Sequence, residues 1–312
     1  MGAFEEEAWT LGGLDMKDVP LVSVVIPCYN HGRYISSSIA SVLSQDYPHI
    51  ELIVVNDGSQ DDSLEIMRNL QASYGFVVID QANGGVTLAS EAGCKVASGK
   101  YVVIFDADDV MPPYRISKQV DFFESHPGVG CCGGNFVYID SDGREIAGAP
   151  LKRFGIYKFN ELFSVEELWV GGPTSMYRRK AMLEVGGFDL SLDIQDLQME
   201  LKIAHAGYDV AILEDMLSYY RRHSENKSSK YKENFYICSR LIDAYRQEPG
   251  YRLARQALVN SALKRAVRED LAFAGALFRE LPLRDWNRKT FKRFRKYAWV
   301  SCVSLWSGRR SA

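Results

Sequence analysis

The sequence predicts an α/β protein with a mostly parallel sheet, helices on both faces of that sheet, and a C-terminal helical extension. Two observations predict this class. Short β-branched runs alternate with amphipathic segments over the first hundred residues, which is the spacing of βαβ units. Residues 231–280 are then rich in helix formers, with leucines and alanines in an amphipathic pattern.

Each predicted strand is a short apolar run, and each run is followed by a polar loop and a segment of helical periodicity. Residues 21–27 form the first strand because a β-branched run there is stopped by a proline. Helical spacing follows in Ile35, Ile39 and Val42. The pattern then repeats with strands at 51–55, 76–79 and 101–105, and with helices from residue 61 and around 88–96.

Three polar loops follow the carboxyl ends of these strands, at residues 27–30, 56–59 and 106–109. In open parallel sheets, ligands bind beyond the carboxyl ends of the strands, where the strand order reverses. Each loop alone could be an ordinary turn. Together they predict one shared binding crevice.

The third loop places Asp106, Asp108 and Asp109 directly after an apolar strand. Clustered carboxylates at the rim of a sheet suit a hard divalent cation and a phosphate-bearing ligand. The alternative is a solvated loop in which one aspartate caps the next helix, and the motif alone does not decide between these interpretations.

Composition excludes several classes. The chain has 312 residues, 46% of them hydrophobic, and a net charge of −3, which gives no reason to expect nucleic acid as a partner. Between the first and fourth predicted strands, Gly84-Gly85 is the only glycine pair, so no GxGxxG motif follows the first strand, which disfavours a dinucleotide-binding protein. The GxxxxGK[ST] motif of P-loop proteins is absent from the sequence. The spacing of the six cysteines does not suit a metal site, so we predict that they are reduced thiols.

No signal peptide and no run of 18 apolar residues is found, so we expect a cytoplasmic protein.

Several motifs in order resemble the family 2 glycosyltransferases, which are inverting enzymes of the GT-A fold that use nucleotide-sugar donors. The resemblance covers roughly residues 22–226. The motifs that carry it are VVIPCYN at 24–30, VVNDGSQD at 54–61, IFDADD at 104–109, GGFD at 186–189, QD at 195–196 and YRRH at 220–223.

The resemblance implies a donor site around the three loops. Its donor-binding positions are the following: Pro27, Tyr29, Asn30, Asp57, Asp106, Ala107, Asp108 and Arg222. Asp57 would hold the base or ribose, because a carboxylate accepts two hydrogen bonds. Asp106 and Asp108 match an Asp-x-Asp motif that binds Mn²⁺ or Mg²⁺ on the donor diphosphate. His223 is a further candidate metal ligand, although it and Arg222 could also be solvated surface residues.

Asp196 is the candidate general base for an inverting transfer. Direct displacement at an anomeric carbon needs a carboxylate that removes the proton of the acceptor hydroxyl. Asp196 also precedes a predicted helix, where an aspartate could serve only as a cap. The sequence departs from the family's motifs at two places. Gln195, next to Asp196, replaces a glutamate, and Ser90-Glu91, on the donor side, replaces Arg-Asn.

We predict an acceptor-side loop at Gly171 and Gly172, whose glycines permit close approach of a sugar. Trp169 could stack on a sugar face, but a buried core indole is an equal alternative. The acceptor would be a glycan or a polyprenyl-linked sugar.

The sequence divides into an N-terminal extension (1–20), a glycosyltransferase domain (21–228) and a helical C-terminal region (229–312). Within the domain, 21–110 would bind the nucleotide and 111–228 the acceptor. Residues 284–312 carry nine Lys or Arg against one Asp, a net +8, with aromatic residues interleaved. This tail is typical of a helix that binds an anionic membrane surface, and docking to a protein partner or core packing are the alternatives.

The leading hypothesis is therefore an inverting glycosyltransferase that uses a UDP-sugar and extends a bacterial surface polysaccharide or lipopolysaccharide. A catalytically silent sugar-nucleotide-binding or scaffold module is the main alternative, because Gln195 replaces a carboxylate. A sugar-phosphate nucleotidyltransferase would need a Gly-rich phosphate loop after the first strand, which is absent. An Asp-x-Asp phosphatase would place its nucleophile after the first strand, not the fourth.

Overall fold

The computed structural model describes residues 19–164, 172–223, 226 and 230–308. Within these residues, nine strands form one sheet in the order β3-β2-β1-β4-β8-β5-β9-β7, with β6 paired to β5. The strands are β1 (Val22–Cys28), β2 (Ile50–Asp57), β3 (Val77–Gln81), β4 (Tyr101–Ile104), β5 (Val129–Ile139), β6 (Glu145–Ile146), β7 (Gly155–Tyr157), β8 (Met176–Arg178) and β9 (Asp209–Arg221).

The helices follow the βαβ pattern first and form a C-terminal group afterwards. They are α1 (Gly32–Leu43), α2 (Ser63–Tyr74), α3 (Val86–Val96), α4 (Arg115–Ser125), α5 (Phe159–Ser164), α6 (Arg179–Glu184), α7 (Asp196–His205), α8 (Tyr231–Asp243), α9 (Tyr251–Glu269), α10 (Leu271–Glu280) and α11 (Arg288–Gly308). Short 3-10 helices lie at Gly172–Thr174 and Leu283–Asp285.

The four predicted strands are confirmed, with ends that differ from the prediction by one or two residues. Strands β3, β2, β1 and β4 pair in parallel, as do β5 and β9. Strand β8 is antiparallel to both β4 and β5, and so joins the two parallel parts of the sheet.

Side chains alternate between two hydrophobic cores, one on each face of the sheet. In β1, Val24 and Ile26 pack in the core formed with α1, α2 and α4, whereas Val25 packs in the core with α3 and α7. Helices α8, α9 and α10 add buried residues to this second core. The predicted fold class, a sheet covered on both faces with a C-terminal helical region, is confirmed.

Two features of this architecture position the site. The carboxyl ends of β1, β2 and β4 lie at one edge, so the loops that follow them meet there. The C-terminal end of β9 reaches the same edge, because Val110 and Tyr219 exchange backbone hydrogen bonds of 3.1 and 2.9 Å. Among the described residues, no helix is both long enough and apolar enough to cross a bilayer.

Candidate active site

The loops after β1 and β2 are joined by reciprocal hydrogen bonds. Asn30 adopts a left-handed conformation (φ 56°), and its backbone N–H donates to Ser59 Oγ at 3.0 Å. Its side-chain Oδ1 accepts from the backbone N–H of Gln60 at 2.7 Å. Pro27, in β1, and the exposed Tyr29 lie immediately before this turn. The structure thus brings two of the three predicted loops into one rigid rim.

The carboxylate of Asp57 is buried and accepts three hydrogen bonds, one from the last residue of β3 and two from the segment after it. Oδ1 accepts from Gln81 Nε2 (2.8 Å) and from the backbone N–H of Gly84 (2.9 Å), and Oδ2 accepts from the N–H of Gly85 (2.9 Å). Gly85 has φ 88°, a conformation that favours glycine. Asp57 therefore organises the loop that ends at α3, and its predicted contact with a nucleotide stays a prediction.

Three predicted donor-site residues, Asp106, Ala107 and Asp108, form the loop after β4 with Asp109. The carbonyl of Asp106 accepts from Ser38 Oγ and from the N–H of Asp109, both at 3.2 Å. Ala107 is buried. Burial raises the pKa of the Asp109 carboxyl well above its usual value, and the charges of Asp108 and Asp106 add to that rise. The third acid is thus an interior residue.

Strand β9 holds the acidic loop in place through Arg221, which is almost fully buried. Its N–H donates to Asp109 Oδ1 at 2.8 Å, and its Nε donates to the carbonyl of Asp108 at 2.7 Å. The guanidinium also lies 4.8 Å from the ring centre of Tyr34. Residue 226 completes the link, since Asn226 Nδ2 donates to Asp108 Oδ2 at 3.3 Å.

The predicted metal ligands Asp108 and His223 meet directly, with His223 Nε2 at 2.9 Å from Asp108 Oδ2. They are 115 residues apart in sequence, so the fold alone brings them together. A third group joins them. One ligand atom each of His31, Asp108 and His223 lies within 4.8 Å of the others. A carboxylate with two imidazoles is a set that first-row divalent cations accept, so the residues fit the implied metal. Asp106 lies outside this trio, and its role as a ligand stays a prediction.

Arg115, which is fully buried in α4, lies 5.4 Å from the ring centre of Phe105, just before the acidic loop, and binds the segment at residues 173–175. Its guanidinium donates to the carbonyls of Pro173 (2.6 Å) and Ser175 (3.3 Å) and to Gln119 Oε1 (3.0 Å). Burial lowers the pKa of Arg115 to about 10, while the charge of Asp109 opposes that shift. Arg115 therefore stays cationic at neutral pH.

Asp196 is the first residue of α7, as the sequence predicted, and it contacts the predicted acceptor loop. Its Oδ2 accepts from the backbone N–H of Gly172 at 2.8 Å, and its Oδ1 accepts from the N–H of Leu197 at 2.7 Å. A Cβ at Gly172 would lie 2.9 Å from Asp196 Oδ2, so a side chain there would crowd the carboxylate. Trp169 and Gly171 lie outside the described residues.

Arg222, predicted on the donor side, is exposed, and none of its described contacts involves Asp108. Its guanidinium lies 4.8 Å from the ring centre of Tyr138, and its N–H donates to the carbonyl of Ile139. Its neighbour Arg221 makes the buried contacts with the acidic loop instead.

Of the two departures from the family motifs, the structure gives hydrogen-bond partners for Ser90-Glu91. Ser90 Oγ donates to the carbonyl of Val86 within α3, and Glu91 Oε2 accepts from the N–H of Phe188 at 3.4 Å. Gln195 precedes α7 and makes no side-chain cap hydrogen bond to it. The Glu91 bond ties α3 to the GGFD segment, and neither of the two bonds involves Asp108 or Asp196.

The sequence analysis missed His31, Arg115 and the hydrogen-bonding role of Asn226. His31 had one available signal, because it lies in the loop after β1, on the rim where the acids were predicted. No local sequence pattern around Arg115 indicates its role, because the carbonyls that it binds, at positions 173 and 175, are 58 and 60 residues away.

Comparison with known proteins agrees with this geometry. A family model described as glycosyl transferase family 2 matches residues 23–186, more than half of the chain. The poly-beta-1,6-N-acetyl-D-glucosamine synthase of Staphylococcus epidermidis is 26% identical over 195 residues, covering 61% of this chain and 47% of that protein. The chondroitin synthase of Escherichia coli is 30% identical over 194 residues, covering 62% and 28%. The chain thus spans about half the length, or less, of these curated relatives.

Solved structures show the same fold at low sequence identity. S. aureus TarS in complex with UDP-GlcNAc superposes with a TM-score of 0.67 at 17% identity, covering 85% of this chain and 82% of that one. The mannosyltransferase PcManGT from Pyrobaculum calidifontis, in complex with GDP-Man and Mn²⁺, has a TM-score of 0.61 at 18% identity, covering 92% and 86%. The fold is that of the GT-A glycosyltransferases, and the chain belongs to glycosyl transferase family 2.

Proposed function

We propose that this glycosyltransferase moves a sugar from a nucleoside-diphosphate donor, of the UDP-sugar class, to a hydroxyl of a glycan or lipid-linked acceptor, with inversion at the anomeric carbon. The observation that carries the proposal is the contact of Asp108 with His223 at the carboxyl edge of the sheet, beside the joined loops after β1 and β2. Such an edge is where an α/β sheet binds its ligand. TarS and PcManGT, which share the fold, were solved with UDP-GlcNAc and GDP-Man respectively.

The nucleotide would lie on the rim formed by Asn30, Tyr29 and the segment that Asp57 organises. Reciprocal hydrogen bonds hold this rim in one conformation before the donor arrives, which reduces the entropy lost on binding. Tyr29 is 42% exposed and so offers a ring for a base to stack on.

The diphosphate would lie over the acidic loop, where Asp108, His223 and Asp106 would hold a Mn²⁺ or Mg²⁺ ion. The ion, when bound, neutralises the charge that develops on the departing nucleoside diphosphate. Arg221 keeps the carboxylate of Asp108 available for this purpose, because it binds the carbonyl of Asp108 and not its side chain.

Asp196 would remove the proton from the acceptor hydroxyl. The bond from that oxygen to the anomeric carbon forms as the bond to the diphosphate oxygen breaks, and the proton ends on the Asp196 carboxylate. The N–H of Gly172 orients Oδ2 of Asp196, and both are part-buried, so the base is fixed and accessible. Gly172, with Trp169 and Gly171, would line the acceptor side.

We further propose that the enzyme works at the cytoplasmic face of an anionic membrane, where polyprenyl-linked acceptors are presented. Helix α11 supports this with one exposed face of alternating cations and aromatic rings. That face, called here the basic aromatic face, consists of Arg288, Phe291, Lys292, Arg295 and Trp299. Their spacing of three, four, seven and eleven residues places them on one side of a helix.

The opposite side of α11 packs on the protein. Thr290 is fully buried and accepts from Asn260 Nδ2 at 2.9 Å, and Tyr297 lies 5.4 Å from the ring of Phe278. Part of the aromatic pattern in the tail is therefore core packing, one of the alternatives the sequence left open. The exposed Phe291 and Trp299 remain for the membrane.

A donor screen tests the proposed activity. Purified protein with Mn²⁺ is incubated with a panel of nucleotide sugars, and stability is measured by thermal unfolding, since a bound donor raises it by mass action. Products on a lipid-linked acceptor are followed by mass spectrometry. We expect at least one UDP-sugar to stabilise the protein and to be consumed. Binding without transfer to any acceptor would favour the silent sugar-nucleotide-binding module, and no binding would contradict the proposal.

Vesicle sedimentation tests the membrane proposal. Each cation near an anionic surface contributes about 1 kcal/mol, so reversing Lys292 and Arg295 to Glu should lower binding to phosphatidylglycerol-rich vesicles by roughly tenfold or more. The control reverses Arg68 and Lys180, which are exposed elsewhere and change the net charge equally. Equal loss in both double variants would show that only net charge matters.

A further inference from the structure

His31 lies in the loop after β1 and is the residue that completes the trio with Asp108 and His223. The sequence did not predict His31 as a metal ligand. The three ligand atoms lie within 4.8 Å of one another, and one pair, His223 Nε2 and Asp108 Oδ2, is 2.9 Å apart. In octahedral coordination at bond lengths near 2.1 Å, adjacent ligands are about 3 Å apart and opposite ligands about 4.2 Å apart, so a separation of 4.8 Å has to shorten by about 0.6 Å through side-chain movement when an ion binds.

The backbone holds His31 firmly in this position. Its N–H donates to Ser63 Oγ at 3.0 Å, and the N–H of Gly32 donates to Asp61 Oδ2 at 2.9 Å. The left-handed turn at Asn30 directs the chain into α1, which begins at Gly32. The imidazole therefore needs no backbone rearrangement to act as a ligand.

The surroundings of the His31 imidazole indicate that a bound ligand contacts it. His31 Nδ1 is buried and finds no hydrogen-bond partner among the residues that the structure describes. A buried polar nitrogen without a partner is costly, and natural proteins usually satisfy such atoms. The ring lies edge-on to His223, with centroids 6.0 Å apart, and 6.3 Å from Tyr34. Tyr34 is packed beside both imidazoles, since its ring centroid is also 5.2 Å from that of His223.

We infer that His31 is a further protein ligand of the cation at the donor diphosphate, beside Asp108 and His223, and that the two imidazoles make the site select Mn²⁺ over Mg²⁺. The inference rests on the proposed function and extends it. Mg²⁺ strongly prefers oxygen ligands and keeps much of its water, whereas imidazole nitrogen suits transition metals. A second imidazole at a coordination position that water would otherwise occupy therefore favours the transition metal.

Pulsed electron paramagnetic resonance of bound Mn²⁺ counts the coordinated imidazoles directly. The probe is Mn²⁺ with the full-length chain, alone and with UDP. We expect nitrogen couplings from two imidazoles in the natural protein and from one imidazole in His31→Ala. The control is His205→Ala, which removes an exposed imidazole paired with Glu248 and should leave the spectrum unchanged.

Metal affinities test the selectivity. Loss of an outer-shell partner alone costs about 10-fold to 100-fold in metal affinity, so His31→Ala should weaken Mn²⁺ binding at least tenfold. Mg²⁺ binding should change less, and the ratio of the two affinities should fall. His31→Asp supplies an oxygen ligand and should lower that ratio further by strengthening Mg²⁺ binding. Circular dichroism checks that each variant is folded.

The outcomes separate this inference from the proposed function. If Mn²⁺ binds with UDP but shows one imidazole in the natural protein, or an unchanged ratio of affinities in His31→Ala and His31→Asp, the role of His31 is refuted and the proposed function stands. If neither Mn²⁺ nor Mg²⁺ binds with UDP, both fail.

Discussion

Replacing Asp57 by alanine should destabilise the protein by about 3 kcal/mol and release the loop before α3. Three hydrogen bonds end on this carboxylate, two of them from the backbone of Gly84 and Gly85. Hydrogen bonds to a charged group contribute roughly 1.5–3 kcal/mol each. Because Gly84 is exposed, water can replace part of the hydrogen bonding that the substitution removes. We therefore expect a destabilisation close to that of two such bonds at the low end of this range, about 3 kcal/mol. Asp57→Asn keeps one acceptor oxygen, so its cost should be smaller.

Urea unfolding followed by circular dichroism measures this cost. Hydrogen exchange of the peptide that spans Gly84 and Gly85 reports the freed amides separately, and exchange there should accelerate in Asp57→Ala. The control is Asp62→Ala, an exposed carboxylate in the neighbouring loop, which should change stability by less than about 0.5 kcal/mol. If Asp57→Ala is within about 0.5 kcal/mol of the natural protein and exchange is unchanged, the reasoning is refuted.

Three further changes test the interior of the site and the thiols. Asp109 has a raised pKa, so the folded protein keeps its proton when the unfolded chain has lost it, and stability falls as pH rises from about 4. The free energy of unfolding of Asp109→Asn, relative to that of the natural protein, should therefore rise between pH 4 and pH 7 in urea unfolding. A difference between the two proteins that does not change with pH would contradict this. Arg115→Lys loses the fork that binds two carbonyls and should cost about 3 kcal/mol; a loss under 1 kcal/mol would show that the fork is dispensable. Burial raises the pKa of Cys28 and Cys94 to about 12, and the other interior thiols are shifted upward as well. At pH 8 Ellman's reagent should thus react quickly with one thiol, Cys302, and Cys302→Ser should abolish that phase.

The first half of the fold could be predicted because its signals are local. Strand β1 was expected at residues 21–27 and lies at Val22–Cys28, since an apolar β-branched run marks a buried strand. Pro27 lies inside the strand and does not end it. The antiparallel strand β8 was not predicted. It is three residues long, and its pairing with β4 joins residues about 75 positions apart, which no local pattern encodes.

The candidate site was predictable where a motif carries its chemistry. Asp108 and His223 were both proposed as ligands, and the structure brings them together. His31 was missed because a lone histidine in a loop has many ordinary roles, and only the convergence of β1, β4 and β9 reveals its neighbours. Arg222 and Arg221 are adjacent, and the sequence could not tell which of them faces the acidic loop.

The central claim is that Asp196 takes the acceptor proton during transfer. Single-turnover transfer by Asp196→Asn, from the donor identified in the screen, tests this most directly. A general base contributes about 10²–10⁴ in rate, so turnover should fall by roughly a thousandfold while donor affinity stays nearly unchanged. Asp189→Asn, just upstream of α7, is the control and should retain activity. Turnover of Asp196→Asn within tenfold of the natural protein would contradict the claim.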